Sequence, residues 1–240
     1  MGRKSFKAGA LTAPLPPVMV TVGDMENSNI ITIGWTGILS TIPPRTYISV
    51  RPERYSYEIL KKTREFVINL TTAKQAREVD YVGIYTGAKV DKFKECKFTK
   101  IASKEVSAPT IAECPFALEC KVVEIIPMGT HDVFIADIVS VSSDESIIDD
   151  EGKIRFDNAG LLAYAHGEYF ALGEKVGKFG FSTKKPTSKK PLQKKKAEEK
   201  TNKGAPVQRN TDVEDNKKRP FYLDAPRSKG NKTKGKGKRK

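Results

Sequence analysis

Short runs of β-branched and aromatic residues, separated by turn residues, occupy most of residues 1–182. Such runs predict strands, because β-branched and aromatic side chains pack well on a pleated surface. Four of them come early in the chain: Val18–Val22, Ile30–Trp35, Thr46–Val50 and Glu65–Leu70. Many short strands with few helices predict a mainly β domain, and strand count alone leaves barrel and sandwich both open.

The longest predicted hairpin joins Phe116–Ile126 to Asp132–Val141 through a turn at residues 127–130. Apolar residues occupy both faces of the second arm over much of its length, so we expect this strand to be covered on both sides. Two short helices are predicted, one from about Ser56 to Lys62 and one over Ala73–Val82.

The net charge of +14 is concentrated at the C-terminal end. Residues 183–240 hold 21 of the 43 Lys and Arg residues but only 6 of the 29 Asp and Glu residues, so residues 1–182 are nearly neutral. Lysine runs with Pro, Gly, Ser and Thr bury too little apolar surface to offset the cost of ordering, so we expect a disordered, Lys-rich tail.

This tail, residues 183–240, would attract polyanions, including nucleic acid without sequence preference, with an affinity that falls steeply as salt rises. A localisation or solubility role explains its lysines equally well. Within it, Arg219–Leu223 is a small hydrophobic island, which is either a docking peptide or a chance cluster.

The cysteines and the apolar segments indicate the cellular compartment of the protein. Cys96, Cys114 and Cys120 are odd in number and lack C-x-x-C spacing, so we expect reduced thiols and no metal site. Three prolines between residues 14 and 17 interrupt the N-terminal apolar stretch, which argues against a signal peptide. No segment approaches the roughly 18 apolar residues of a membrane span. We expect a cytoplasmic protein with no membrane contact.

The segment Ile48–Tyr57 carries the clearest chemical signal. Arg51 and Arg54 follow the end of a predicted strand, and Ser56 lies where the N-cap of the next helix is expected. Free N–H groups at a helix start favour an anion, and two guanidinium groups add charge-assisted hydrogen bonds. The pattern predicts a phosphate-binding cradle. In the alternative interpretation, Ser56 only caps the helix and the arginines are solvated.

An amide and the only tryptophan of the chain stand close together, at Asn29 and Trp35. A planar heterocycle needs polar groups along its edge and an apolar wall against its face, and these two side chains supply both. The alternative is that Trp35 belongs to the hydrophobic core.

Six segments together resemble the flavin reductase-like family, and within it the flavoredoxin type. Each segment is a weak signal alone, but all six occur in order and at the family's spacing. They are Asn29–Gly37, Ser49–Tyr57, Glu65–Leu70, Val90–Phe93, Gly129–Ile135 and Gly167–Gly173.

The resemblance implies a split β-barrel, Greek-key-like, with a few short helices, covering residues 1–182. It further implies a homodimer that binds one flavin mononucleotide (FMN) per subunit at or near the interface between subunits. The implied phosphate-binding residues are Arg51, Arg54 and Ser56, with Ser49 in the same motif.

The resemblance also assigns residues to the flavin ring and its surroundings. Asn29, Trp35 and Thr36 would line the ring. Lys92 would place a cation near the polar edge of the flavin or its phosphate, the alternative being an exposed helix lysine. Tyr164 would be an aromatic contact to the cofactor, the alternative being a core residue.

His131 follows a tight turn and is one of two histidines in the chain. Its functional interpretation is a contact near the flavin that relays a proton to the reduced ring, which makes it the candidate catalytic residue. The alternative is a histidine that only satisfies backbone groups at the end of a hairpin.

Two classes of function follow from these patterns. The first is an FMN-dependent flavoprotein in electron transfer, either a reductase that uses NADH or NADPH or a carrier between redox protein partners. No G-x-G-x-x-G follows a strand, so a nicotinamide donor would have to stack directly on the flavin. The second is a nucleic-acid-associated β-barrel that uses the basic tail, which the near-neutral body disfavours.

Overall fold

The structure, a computed structural model, describes residues 2–183. Residues 2–175 form one compact unit, and residues 176–183 belong to a second. The predicted tail beyond Thr183, including Arg219–Leu223, lies outside the described residues.

Eleven strands lie within the described residues, and seven of them form one antiparallel sheet in the order β2-β1-β5-β8-β9-β4-β3. The other four form two small hairpins, β6 with β7 and β10 with β11. The strands are β1 (Val18–Gly23), β2 (Ser28–Ile33), β3 (Thr36–Thr41), β4 (Pro44–Val50), β5 (Glu65–Leu70), β6 (Lys100–Ile101), β7 (Thr110–Ile111), β8 (Phe116–Pro127), β9 (Asp132–Ser143), β10 (Leu162–Ala165) and β11 (Glu168–Ala171).

Three α-helices connect the strands: α1 (Tyr55–Thr63), α2 (Ala76–Ile84) and α3 (Lys92–Glu95). A 3-10 turn at Ala73–Gln75 leads into α2. A capping box between Thr72 and Gln75 stabilises the start of this 3-10 turn. None of the helices in the described part of the chain has the length and hydropathy needed to cross a bilayer.

The large sheet curls, so that β2 at one edge of the sheet lies against β4 near the opposite edge. Its inner face and α1 enclose one core, in which Phe66 and Phe134 are fully buried. The outer face of β1 and β2 packs against α2 and α3 through a second core around Met19 and Ile30. Both faces of β1 are therefore buried, and the mainly β barrel with few short helices is confirmed.

The turn between β1 and β2 fixes where Asn29 begins its strand. Gly23 has a φ of 95°, and a Cβ there would lie 2.1 Å from the carbonyl oxygen of Asn27, so only glycine fits. The Asp24 carboxylate accepts hydrogen bonds from the backbone N–H groups of Glu26 and Asn27 and closes the turn.

Two strand predictions are wrong. The predicted strand Ile30–Trp35 ends at Ile33, because the chain turns at Gly34 and starts the edge strand β3, which the apolar pattern did not predict. Within the described chain, strand β9 is not covered on both sides over its whole length. Val139 and Val141 of β9 are 39% and 53% exposed.

Candidate anion-binding site

The candidate site lies where β4 ends beside the β8–β9 turn. Strand pairing sets Val50 opposite Asp132 and Ser49 opposite Val133. The backbone N–H of Ser49 also donates to the carbonyl of Trp35 at 2.9 Å. The start of β3, the end of β4 and the residues after the β8–β9 turn therefore meet at one end of the sheet.

Helix α1 starts at Tyr55, after the turn that follows β4, and no side chain caps its first N–H groups. Arg54, in an extended conformation, is the N-cap residue, so the prediction that Ser56 occupies that position is wrong. Ser56 is the second residue of the helix and is 1% exposed. An uncapped helix start leaves backbone donors for an anion.

A buried hydrogen bond ties this helix start to β2. The side-chain amide of Asn29 donates to Ser56 Oγ at 2.7 Å, so the Ser56 hydroxyl hydrogen remains to be donated elsewhere. No acceptor for it lies among residues 2–183. The structure therefore brings Asn29, which was predicted to line the flavin ring, into contact with Ser56, which was predicted to hold the phosphate.

Sequence reasoning missed the loop that covers Asn29. A Cβ on Gly87 would lie 2.2 Å from Asn29 Oδ1 and 2.7 Å from Cδ1 of Tyr55, so a side chain at this position would displace both. A glycine three residues after the end of α2 was the only signal in the sequence. Gly87 and Tyr55 therefore join the residues that shape the site.

Lys92 is buried rather than exposed on its helix. Asp91 caps α3 by accepting hydrogen bonds from the N–H groups of Phe93 and Lys94, which sets Lys92 in the first turn. Its Nζ donates to the carbonyls of Ile30 at 2.7 Å and Val82 at 2.8 Å. An ammonium group has three donors, so one remains.

Positive charges crowd this end of the sheet. Burial and the neighbouring charge of Arg54 lower the pKa of Lys92 to about 8. Burial and the charge of Arg51 lower the pKa of Arg54. Within residues 2–183, neither Arg51 nor Lys92 forms an ion pair with a carboxylate. A site with excess positive charge and free donors favours an anion.

His131 belongs to the same cluster of charges. Its pKa lies below its ordinary value because the ring is partly buried and because Arg51 and Arg54 repel its protonated form, against a smaller opposite effect of Glu53. Both effects favour the neutral form of the ring. Its Nδ1 is 2.9 Å from Thr130 Oγ1, and Nε2 has no hydrogen bond with a described residue.

Three predicted site residues have contacts of their own. Trp35 and Thr36 are partly buried at the start of β3, and the Thr36 hydroxyl donates to the carbonyl of Tyr47 at 2.6 Å. Tyr164 pairs with Leu15 through the backbone and packs against Tyr169, with ring centroids 5.3 Å apart. The described contacts of Tyr164 thus link it to the N-terminal segment and β11.

The chain was compared with known families and proteins. Residues 11–173 match the family model described as flavin reductase like domain. The flavoredoxin of Desulfovibrio vulgaris is 32% identical with a TM-score of 0.71, covering 76% of this chain and all of that one.

Two further proteins are more distant. The FMN-binding protein of Thermus thermophilus is 25% identical with a TM-score of 0.63, over 74% of this chain and 97% of that one. The NADPH-flavin oxidoreductase of Streptomyces viridifaciens is 23% identical, over 54% of this chain and 68% of the relative. The matched structures confirm the split-barrel fold that the resemblance implies.

Replacing Lys92 by Met is expected to change how stability depends on pH. The pKa of Lys92 is about 8 in the folded chain against 10.5 for an unperturbed lysine, so between these values the unfolded chain binds more protons. The contribution of Lys92 to the free energy of unfolding therefore rises as the pH increases from about 8 to 10.5. Denaturant titrations of wild type and Lys92→Met across this window measure the difference in unfolding free energy.

The matched control for this comparison is Lys94→Met, which removes an exposed lysine of the same helix. A wild-type advantage over Lys92→Met that stays flat across the window would contradict the desolvated position of the Lys92 ammonium group.

Proposed function

Because the chain belongs to the flavin reductase-like domain family, we propose that it is a flavoprotein that binds FMN and transfers electrons. The observation that carries the proposal is the convergence of Arg51, Arg54, the start of α1 and the Ser56 hydroxyl at the end of β4. Two guanidinium groups and uncapped backbone donors suit a phosphate dianion, which relieves the repulsion between the arginines.

The remaining site residues fit the other parts of FMN. Asn29 and Trp35 offer an amide and an aromatic face, and Thr36 and Ser49 border the same end of the sheet. The third donor of the Lys92 ammonium group is available to an oxygen of the ligand. When bound, FMN supplies reversible uptake of one or two electrons.

His131 is the residue proposed to move a proton. A neutral imidazole accepts a proton at its unprotonated ring nitrogen, and the imidazolium so formed then donates that proton, whereas a ring that is already protonated only donates. Its position beside Arg51 and Arg54 puts it at the same end of the sheet as the proposed phosphate site. Tyr164 is proposed as an aromatic wall of the ring site.

A nicotinamide nucleotide is the proposed electron donor. The name of the Streptomyces relative, an NADPH-flavin oxidoreductase, supports this choice. The free thiols Cys96, Cys114 and Cys120 suit the reducing cytoplasm, where these nucleotides are available. Burial raises the pKa of the Cys114 thiol to about 12, so that thiol is inert rather than redox-active.

Replacing Arg51 by Ala is expected to weaken FMN binding about 10- to 100-fold, the loss of one hydrogen-bonded charge pair. Fluorescence titration of flavin-free protein with FMN measures the dissociation constant. The control is Arg77→Ala, which removes an exposed arginine from α2. Unchanged affinity in Arg51→Ala would remove this residue from the phosphate site.

The donor is tested by anaerobic titration of the FMN-loaded protein with NADH and with NADPH, following the visible flavin absorbance. We expect one of them to bleach the flavin rapidly, because no further domain is needed when the nicotinamide stacks on the ring. Bleaching by dithionite but by neither nucleotide would instead indicate a carrier that receives its electrons from a redox protein.

The exposed apolar side chains of one sheet edge support a homodimer. Ile38 and Leu39 on the edge strand β3 are 62% and 51% exposed, and Ile42 in the following turn is 93% exposed. With Val139 and Val141 of β9, they leave this half of the sheet apolar and uncovered. A second copy of the chain would cover it.

Replacing Ile38 by Glu is therefore expected to convert a dimer into a monomer. In a two-fold symmetric interface, the new carboxylate of each subunit would be buried. Light scattering coupled to gel filtration measures the mass. Ile101→Glu, on the separate β6–β7 hairpin, is the control and should leave the mass unchanged. A monomeric wild type would contradict the proposal.

The lysine-rich residues 184–240 support a second activity, binding of polyanions. Deletion of these residues is expected to abolish salt-sensitive binding to a random-sequence nucleic acid while FMN affinity stays unchanged, since the cradle lies elsewhere in the chain. Filter binding at two salt concentrations measures the first property. Retained nucleic-acid binding after the deletion would contradict this role for the tail.

A further inference from the structure

One hydrogen bond joins the two sides of the proposed phosphate site. The Tyr57 hydroxyl donates to the carboxylate of Asp132. Tyr57 directly follows Ser56 in the first turn of α1, and Asp132 directly follows His131 at the start of β9. The bond therefore ties the helix start to the β8–β9 turn, across a separation of 75 residues in sequence.

The surroundings of Tyr57 hold its hydroxyl in place. The side chain is 6% exposed, and its ring packs edge-on against Phe134 with centroids 5.6 Å apart. Lys61 Nζ lies 5.3 Å from the ring centroid. The bond to Asp132 raises the pKa of Tyr57 to about 12, so the hydroxyl keeps its proton, and remains a donor, throughout the physiological range.

The same bond also restrains Asp132. Asp132 is opposite Val50 in the sheet, and Arg51 directly follows Val50 in the chain. A carboxylate on the strand position opposite the chain neighbour of Arg51 is a potential competitor of a phosphate for the Arg51 donors. By accepting from Tyr57, it is held on the helix side, and Arg51 keeps no carboxylate partner among the described residues.

We propose that Tyr57 and Asp132 are positioning residues that fix the spacing of the anion cradle and thereby give the protein its preference for phosphorylated flavin over riboflavin. Neither side chain needs to touch the ligand. The proposal rests on the proposed function, because it requires that the cradle binds the FMN phosphate. Beyond that function, it assigns to Tyr57 and Asp132 the positioning of Arg51, Ser56 and His131.

The test compares the affinities of FMN and riboflavin, which differ only in the phosphate, for full-length flavin-free protein. Tyr57→Phe and Asp132→Ala are each expected to lower the ratio of the two affinities about tenfold. Asp132→Asn retains an oxygen that accepts from Tyr57 and also removes the charge, so it should keep the ratio at or above the wild-type value. Tyr81→Phe, which removes a hydroxyl from α2, is the control.

The direction in which the affinity ratio changes in Asp132→Ala is the most decisive result. Removing the negative charge of Asp132 would by itself strengthen phosphate binding, so a fall of the ratio in Asp132→Ala reports the lost spacing. A general loss of stability would weaken both ligands alike and leave the ratio unchanged. Thermal unfolding of each flavin-free variant confirms that it is folded.

The outcomes separate this inference from the proposed function. A ratio that stays at the wild-type value, or rises, in both Tyr57→Phe and Asp132→Ala would overturn the positioning role while Arg51→Ala still lowers it. A wild-type protein that binds FMN and riboflavin equally well would overturn the phosphate site itself, and the positioning role with it.

Discussion

Positive charges that the fold holds together at the end of β4 are the constraint on which the proposed anion site depends. Burial lowers the pKa values of Arg54, Lys92 and His131, and neighbouring charges lower them further: Arg51 acts on Arg54, Arg54 acts on Lys92, and both arginines act on His131. Like charges kept together in a partly buried place cost folding energy, and a bound anion converts that cost into binding energy. A phosphate dianion at this point is thus favoured by the protein's own electrostatics.

The curled sheet creates this concentration of charge. Antiparallel pairing of β4 with β9 brings Arg51 beside His131, and the short connection after β4 starts α1 against β2, where Asn29 reaches Ser56. Asp91 starts α3 so that Lys92 reaches two backbone carbonyls under the same region. Elements far apart in sequence each contribute one or two groups, so the site depends on the whole barrel.

Local patterns in the sequence predicted much of this arrangement. Strand β5 has the predicted ends, Glu65 and Leu70, because β-branched and aromatic residues are bounded there by a charged turn and a polar one. Arg51 and Arg54 were assigned to a phosphate site because charge following a strand end is visible in the sequence, and that assignment stays a prediction. Resemblance to a known family supplied the remaining candidates, including Lys92.

Long-range contacts could not be predicted from local patterns. Ser56 was assigned to the N-cap, but its hydroxyl is engaged by Asn29, 27 residues earlier. The bond between Tyr57 and Asp132 is equally invisible in either segment alone. Strand β9 was expected to be covered on both sides, but its apolar pattern did not say by what, since an apolar residue looks the same whether its partner belongs to the same molecule or to another.

A crystal structure of the full-length chain with FMN tests the central claim most directly. The account predicts that phosphate oxygens lie within hydrogen-bonding distance of the guanidinium groups of Arg51 and Arg54 and of the Ser56 hydroxyl, at the start of α1. A flavin whose phosphate lies elsewhere, with both arginines in solvent, would contradict it.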